Sequence, residues 1–336
     1  HTYGLPESDE VQLAARVAAA AGVPHHIQKM TADTYVEHAH RSPFLNGELD
    51  IFVQAAQHDW LRPLSENTDV IMTGLDLDVS LGGIYMVPEV LSARSDQDIL
   101  DVLRAKNRIF PSNEIHRLFG TTLSSYSQAP FEVALELIRE LPQESFPVKY
   151  DHFIHRYSMR RIIFSRYAQL RHYMETATPM TDYDFLDEVL RLPYLQRAGH
   201  RVFHPFINQL CPDLCAIPYQ RTTLPATVPP DFWKEAARIE TDREALYTRI
   251  YQETDGKIQV PYRRYYSNFE ECLRMDPGWV QLAEDLLAPS AQIFERGLVK
   301  ASFVSECLGE HRAAKRNRRQ QLVCLMSLEL FLRAHF

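Results

Sequence analysis

The sequence predicts an α/β protein, with a parallel sheet and flanking helices followed by a mostly helical region. Near the start of the chain, strand-like residues 1–4 and 25–29 are separated by an Ala-rich helical pattern, and a third strand-like segment covers 68–73. Strands that alternate with helices are typical of parallel sheets, because two parallel strands need a long crossover between them. Beyond about Glu89, little strand character remains.

The first helix has the clearest boundaries of the predicted elements. Ser8 is a typical N-cap, Asp9 and Glu10 place negative charge in the first turn, and Gly22 ends the helix. The opening residues His-Thr-Tyr-Gly read as the end of a strand whose start precedes His1, so we expect a piece of a longer protein. Two further helices are predicted in this region, at 33–40 and 51–61.

The rest of the chain has helical periodicity. Helices are predicted over 96–107, 131–140, 152–175 and 185–192. Residues 218–230 are dense in Thr and Pro, which predicts a loop or linker. We therefore divide the chain into an α/β part, a helical part and a helical C-terminal extension, at 1–120, 121–225 and 226–336.

Composition excludes some classes of protein. The net charge of -8 disfavours a nucleic-acid-binding protein, since phosphate contacts need clustered positive charge. No apolar run approaches the roughly 20 residues of a membrane helix, so no membrane partner is expected. The five cysteines are sparse and odd in number, which favours reduced thiols and a cytoplasmic location over a disulfide framework.

The main functional signal is the segment 70–83, VIMTGLDLDVSLGG. A strand that ends at Thr73 would lead into a loop in which Asp76 and Asp78 are followed by paired glycines. Backbone N–H groups and carboxylates in such a loop can hold phosphate and a divalent ion, which indicates a nucleotide site. An ordinary surface turn after a core strand is the alternative, because Gly and Asp are also the common turn residues.

Three segments of the chain resemble the synthetase domain of asparagine synthetases, which is the C-terminal ATP-pyrophosphatase domain of that family. The first runs from the opening HTYG through the Ala-rich helix to His25 and His26. The family's Ser-Gly-Glu-Gly-x-Asp-Glu-x-x-Gly-Gly element is matched by Thr73, Gly74, Asp78, Gly82 and Gly83. Its Glu-x-Arg-x-Pro-Phe-Leu-Asp segment, and the proline after the next helix, are matched by Glu175, Pro179, Asp182 and Pro193. The resemblance covers about residues 1–225.

The resemblance implies an adenine nucleotide alpha hydrolase-like, Rossmann-like domain whose 1–120 part binds ATP and Mg²⁺. It implies an amide-forming ligase of the asparagine synthase (glutamine-hydrolysing) type, which adenylates a carboxylate, releases pyrophosphate and uses ammonia or an amine. A glutaminase domain upstream is a further possibility. Asp78 would hold Mg²⁺ and pyrophosphate, while the nucleotide pocket would be lined by Thr73, Gly74, Gly82 and Gly83.

The resemblance also implies roles outside the loop. Glu175 would be catalytic, on a helical layer that faces the loop. Asp182 would contact substrate or support the structure, and a carboxylate at a helix start favours a cap. His200, with Arg201 beside it, stands where the family has a catalytic Lys. An imidazole can donate a proton but does not carry a permanent charge.

With its further departures from the family pattern, the chain resembles a divergent and N-terminally truncated member of the family. The pyrophosphate-binding Ser-Gly-Gly-x-Asp-Ser loop is not in the sequence and would lie upstream of His1. Asp76, Val79 and Ala177 replace a Gly, an acidic residue and an Arg of the family. Two alternatives stay open: a non-catalytic relative that keeps the fold for binding or assembly, and a metal-dependent glycosyltransferase that uses Asp76-Leu77-Asp78.

Overall fold

A computed structural model describes residues 1–45, 51–142, 145–163, 165–254, 258 and 267–336. It does not describe the side chains of 161–163, 165, 166, 230, 234, 248, 251 and 252. Among the described residues, none of the helices combines the length and the apolar character needed to cross a bilayer.

Four short strands form two parallel pairs. Strand β1 (Thr2–Gly4) pairs with β2 (Ile27–Lys29), and β3 (Val70–Met72) pairs with β4 (Glu175–Ala177). The predicted parallel pairing is confirmed. The larger Rossmann-like sheet is not seen, because the described residues hold only these two-stranded sheets and are mostly helical.

The helices of the first part lie close to their predicted positions. Ser8 caps the first one, since its Oγ accepts from the Val11 N–H at 3.4 Å. Gly22 follows this helix with a φ of 66°. The α-helices are α1 (Asp9–Ala20), α2 (Ala32–His38), α3 (Ser42–Leu45), α4 (His58–Ser65) and α5 (Leu77–Ser80). The 3₁₀ turns are Ala39–Arg41 and Phe52–Gln57.

The middle of the chain is helical, as predicted, except for β4. Its helices are α6 (Pro88–Leu91), α7 (Asp96–Lys106), α8 (Ser112–Leu118), α9 (Thr121–Ser124), α10 (Ala129–Arg139), α11 (Phe146–Phe153), α12 (Ser165–Arg171), α13 (Tyr183–Arg191), α14 (Tyr194–Arg197), α15 (Phe203–Leu210) and α16 (Pro212–Cys215). Ile154–Ile163 is a π-helix, while Pro179–Thr181 and Ala198–His200 are 3₁₀ turns.

Six described helices form the C-terminal part, and all but the first of them share one hydrophobic core with the first part of the chain. They are α17 (Pro230–Glu253), α18 (Phe269–Met275), α19 (Pro277–Leu286), α20 (Gln292–Glu295), α21 (Ala301–Arg312) and α22 (Arg319–His335). Trp279 of α19 is fully buried, and its Nε1 donates to the Ala32 carbonyl at 3.0 Å. One hydrophobic core therefore joins α19 and α22 to α2 and Phe52–Gln57.

A smaller apolar cluster supports both strand pairs. Tyr3 of β1 and Ile71 of β3 pack against Trp60 and Leu61 of α4 and against the α12 residue Leu170. Burial of these side chains holds the two strand pairs on one helical layer. The loop that follows β3 is thereby fixed at its first residue.

Candidate functional site

The loop after β3 begins where the sequence predicts it. The Thr73 N–H donates to the Ala177 carbonyl at 3.1 Å, which extends the β3–β4 pairing by one residue. The Thr73 Oγ1 then accepts from the Leu75 N–H at 3.0 Å and turns the chain toward α5. This is the carboxyl end of a parallel strand, the place where open α/β sheets bind ligands.

Backbone strain is concentrated around this loop. Asp76 has a φ of 78° and His200 a φ of 63°, and they are two of only four non-glycine residues with positive φ in the described chain. Gly83 and Gly199 are left-handed as well. Left-handed backbone is costly for residues with a Cβ and persists where the surroundings enforce it, which occurs often at functional sites.

Asp76 is buried, and only one of its two carboxylate oxygens has a hydrogen-bond partner among the described residues. Its side chain is 1% exposed, and its Oδ2 accepts from the Tyr167 hydroxyl at 3.2 Å. Its Oδ1 has no hydrogen-bond partner in the described part of the chain. Burial raises the pKa of Asp76 to about 6, although the Tyr167 hydrogen bond opposes the rise.

The burial of Asp76 was not predicted from the sequence, which indicated this residue as one of the two loop carboxylates and as the replacement of a family glycine. Its left-handed φ of 78° is the conformation for which glycine is suited. Asp is among the side chains that tolerate this conformation. The sequence signal for this unusual backbone was an aspartate, two residues before Asp78, at a position where the family has glycine.

Asp78, Gly82, Gly83 and His200 come together in the structure. Asp78 is exposed, in the first turn of α5. The Gly82 carbonyl accepts from the His200 N–H at 3.0 Å. A Cβ on Gly82 would lie 2.6 Å from the Asp78 carbonyl oxygen and 2.8 Å from His200 Nδ1, so only glycine allows this approach. The paired glycines therefore pack the loop directly against the His200 segment.

Replacing Gly82 with alanine is expected to lower the free energy of unfolding by about 1–3 kcal/mol, because backbone or the imidazole must move to admit the methyl group. Gly74 is the matched control, since a Cβ there would have nothing within 4 Å. Gly74→Ala should change stability by no more than about 0.5 kcal/mol. Denaturant unfolding of both variants measures the difference, and equal effects would contradict the close packing at Gly82.

His200 is one of several rings packed together. Its ring lies parallel to that of His204, with centroids 4.9 Å apart, and His204 in turn lies 4.1 Å from the ring of Trp233. Burial lowers the pKa of His200, and the Asp78 charge only partly opposes this. Burial also lowers the pKa of His204, to about 4. His200 is therefore a neutral imidazole near pH 7, able to donate one hydrogen bond without a fixed charge.

A buried ion pair holds the end of α5, the helix that follows the loop. Arg197 is 2% exposed, and its Nη1 donates to the Ser80 carbonyl at the end of α5, at 3.0 Å. Its Nη2 donates to a carboxylate oxygen of Asp151, which is 5% exposed. His155 Nε2 lies 3.5 Å from the other Asp151 oxygen. Arg197 therefore ties α5 to the middle helices.

The two carboxylates of the third matching segment lie on other elements than the loop, although the helix that follows Asp182 packs against α5. Glu175 is the first residue of β4 and pairs with Val70, at the opposite end of β3 from Thr73, so its predicted helical position is wrong. The hydrogen bonds of the parallel ladder outweighed the helical periodicity there. Asp182 caps α13, since its Oδ1 accepts from the Phe185 N–H at 3.1 Å, which confirms the predicted cap.

Asp78 is the residue that decides whether this loop could hold the Mg²⁺ that the resemblance implies. No group of three or more His, Cys, Asp and Glu residues that could hold a metal ion occurs among the described residues. Mg²⁺ in nucleotide sites is commonly held by one or two carboxylates together with phosphate oxygens and water. The single exposed carboxylate of Asp78 fits that kind of site, whereas a metal held by protein ligands alone does not fit here.

Comparisons with protein-family models, with curated proteins and with solved structures found no match to this chain.

Proposed function

We propose that this chain is part of an ATP-dependent, amide-forming ligase resembling asparagine synthase, which adenylates a carboxylate and releases pyrophosphate. One observation carries the proposal. Residues 73–83 and the segment around His200 are far apart in sequence, yet the Gly82 carbonyl bonds to the His200 N–H at 3.0 Å beside the exposed Asp78. The resemblance implies one site for the loop and for the position of His200, where the family has a lysine, so their meeting around one strained loop supports it.

The proposal gives each residue a limited task. Asp78 would hold Mg²⁺, which when bound neutralises phosphate charge. Thr73, Gly74 and the paired glycines would line the nucleotide pocket with backbone groups. His200 would donate a hydrogen bond to a negatively charged group, because its imidazole is neutral near pH 7. Glu175 lies at the far end of β3 and is not part of this proposed site.

Replacing Asp78 with asparagine in the full-length product of the gene is expected to reduce ATP–pyrophosphate exchange by about 10²-fold, the usual effect of removing one electrostatic stabiliser. L-aspartate is the first carboxylate to supply, followed by the other amino acids. Calorimetric titration with ATP and MgCl₂ gives a second readout that does not depend on the carboxylate.

Asp69→Asn is the matched control for this experiment. Asp69 is also exposed and sits directly before the other end of the same strand, β3. It should leave ATP binding and exchange unchanged. Equal activity of Asp78→Asn and the unmodified protein would remove Asp78 from the site, and a full-length protein that binds no ATP would overturn the proposal. For residues 1–336 on their own we expect weak or no ATP binding.

One observation favours the second candidate, a non-catalytic relative used for binding or assembly. The position where the resemblance implies a lysine holds a half-buried imidazole, and burial lowers its pKa. It therefore lacks a permanent cation for phosphate charge. This candidate predicts ATP binding without pyrophosphate exchange for any carboxylate, or no ATP binding at all.

The glycosyltransferase alternative receives no support from the loop geometry. Asp76 is buried against Tyr167, while Asp78 is exposed, so the two carboxylates do not form an exposed metal-binding pair. A cytoplasmic location and an upstream glutaminase domain stay predictions.

A further inference from the structure

A second concave site lies away from the β3 loop. A cavity of about 380 Å³ opens between the first part of the chain and α18, and its volume is within the range of small-molecule sites. Leu5, directly after β1, and Met30, directly after β2, form one wall. Cys272 and Met275 of α18 form the other wall. No residue that lines this cavity belongs to the candidate site around Asp78.

The interior of the cavity is mainly apolar. Met30 is fully buried, and burial raises the pKa of the Cys272 thiol to about 12, so no thiolate forms at neutral pH. Met275 is half exposed at the mouth. A ligand with an aliphatic or ring-shaped body would therefore gain from leaving water.

The charged groups at the cavity are all acidic. Glu271 and Asp276 line it, and no Lys or Arg is among its described lining residues. Both carboxylates contribute to the raised pKa of Cys272, which places their negative charge close to the thiol. Asp33 adds to them, since the Asp33 and Asp276 Oδ1 atoms flank the same side of Gly278.

Glu271 retains hydrogen-bonding capacity for a ligand. Its Oε2 accepts from Asn268 Nδ2 at 2.7 Å, and Oε1 has no protein partner among the described residues. Asp276 Oδ1 accepts from the Trp279 N–H at 3.0 Å and caps α19. Glu271 is therefore the carboxylate best placed to pair with an incoming cation.

We propose that this cavity binds a small organic amine, with its apolar body between Leu5 and Cys272 and its ammonium group at Glu271. The apolar walls select the body of the ligand, and the acidic rim selects a cation over an anion of the same shape. A buried apolar contact and one charge-assisted hydrogen bond together suit a weak, specific interaction.

Calorimetric titration of this chain with hexylamine, hexanol and hexanoate tests the proposal, because the three probes share one body and differ in charge. Hexylamine is expected to bind at least tenfold more tightly than hexanoate. Glu271→Gln should weaken hexylamine binding at least fivefold and leave hexanol binding unchanged. Glu295→Gln, which changes an exposed glutamate outside the cavity, should have no effect.

A second variant separates loss of the site from loss of the fold. Met275→Arg changes a half-exposed side chain and brings positive charge to the mouth, so it should abolish hexylamine binding without lowering the melting temperature. Absence of binding by all three probes would overturn the proposal. Equal binding of hexylamine and hexanoate would do so as well, and so would hexylamine binding that neither variant changes.

Discussion

Replacing Arg197 with methionine is expected to lower the free energy of unfolding by about 3–5 kcal/mol, the usual cost of leaving one member of a buried ion pair without its partner. The guanidinium of Arg197 bonds to Asp151 and to the Ser80 carbonyl, and both side chains of the pair are almost fully buried. Methionine would leave the Asp151 charge and that carbonyl without their main donors. Urea unfolding at pH 7 measures the loss.

Two controls decide whether burial is the cause. Arg191 pairs with Glu188 at the surface, where both side chains are about 70% exposed, so Arg191→Met should cost less than about 1 kcal/mol. Removing both buried charges, in Arg197→Met with Asp151→Leu, should restore much of the lost stability. A double variant no more stable than Arg197→Met would contradict this account.

The ion pair also makes the free energy of unfolding depend on pH. Burial raises the pKa of Asp151, but its interactions with His155 and Arg197 outweigh burial and hold the pKa below its ordinary value. A carboxyl group with a lowered pKa contributes stability above the pKa of the unfolded chain, about 4, and loses it as the pH falls further. The Arg197→Met variant should therefore differ most from the unmodified protein above pH 4 or so.

Replacing Asp76 with asparagine is expected to stabilise the protein at neutral pH by up to about 3 kcal/mol, which corresponds to the rise of its pKa from 3.8 to about 6. Folding favours the protonated form of Asp76, so the folded state loses stability as the pH rises from about 4 to 6. Asparagine has no charge, keeps an acceptor for the Tyr167 hydroxyl and tolerates the left-handed backbone.

The pH profile of stability tests this prediction. The gain from Asp76→Asn should be largest at pH 8 and disappear near pH 3.5, where the native carboxyl group is protonated and has nearly the same shape. Asp69→Asn, at an exposed position beside the same strand, should show no gain at either pH. A gain that stays constant between these pH values would show that charge burial is not its cause.

Local signals in the sequence predicted much of the first part of the fold. Ser8 and Asp182 were recognisable as caps, because a side-chain oxygen before a helix satisfies an N–H group of its first turn. The Val-Ile-Met run of β3 was recognisable as a strand because β-branched residues and apolar runs favour strands. The meeting of the paired glycines with His200 followed only from the resemblance, since local patterns carry no information on distant contacts.

Other features depended on tertiary packing. The Glu-Thr-Ala of β4 has no strong strand preference, and it forms a strand because its backbone pairs with β3. The burial of Asp76 depends on the contact with Tyr167, more than ninety residues away. Trp279 of α19 contacts α2, 247 residues earlier, and local patterns in the sequence do not tell which helix a buried tryptophan contacts.

The arrangement of the strands has a consequence for how the chain meets its neighbours. Each of the four strands has one hydrogen-bonded strand partner in the described part of the molecule, so the second edge of each strand has no strand paired to it among those residues. On β3, Val70 and Met72 share one face of the strand and are 49% and 72% exposed. Strands of three residues offer too few hydrogen bonds to hold another chain. Their short length therefore protects these edges against aggregation.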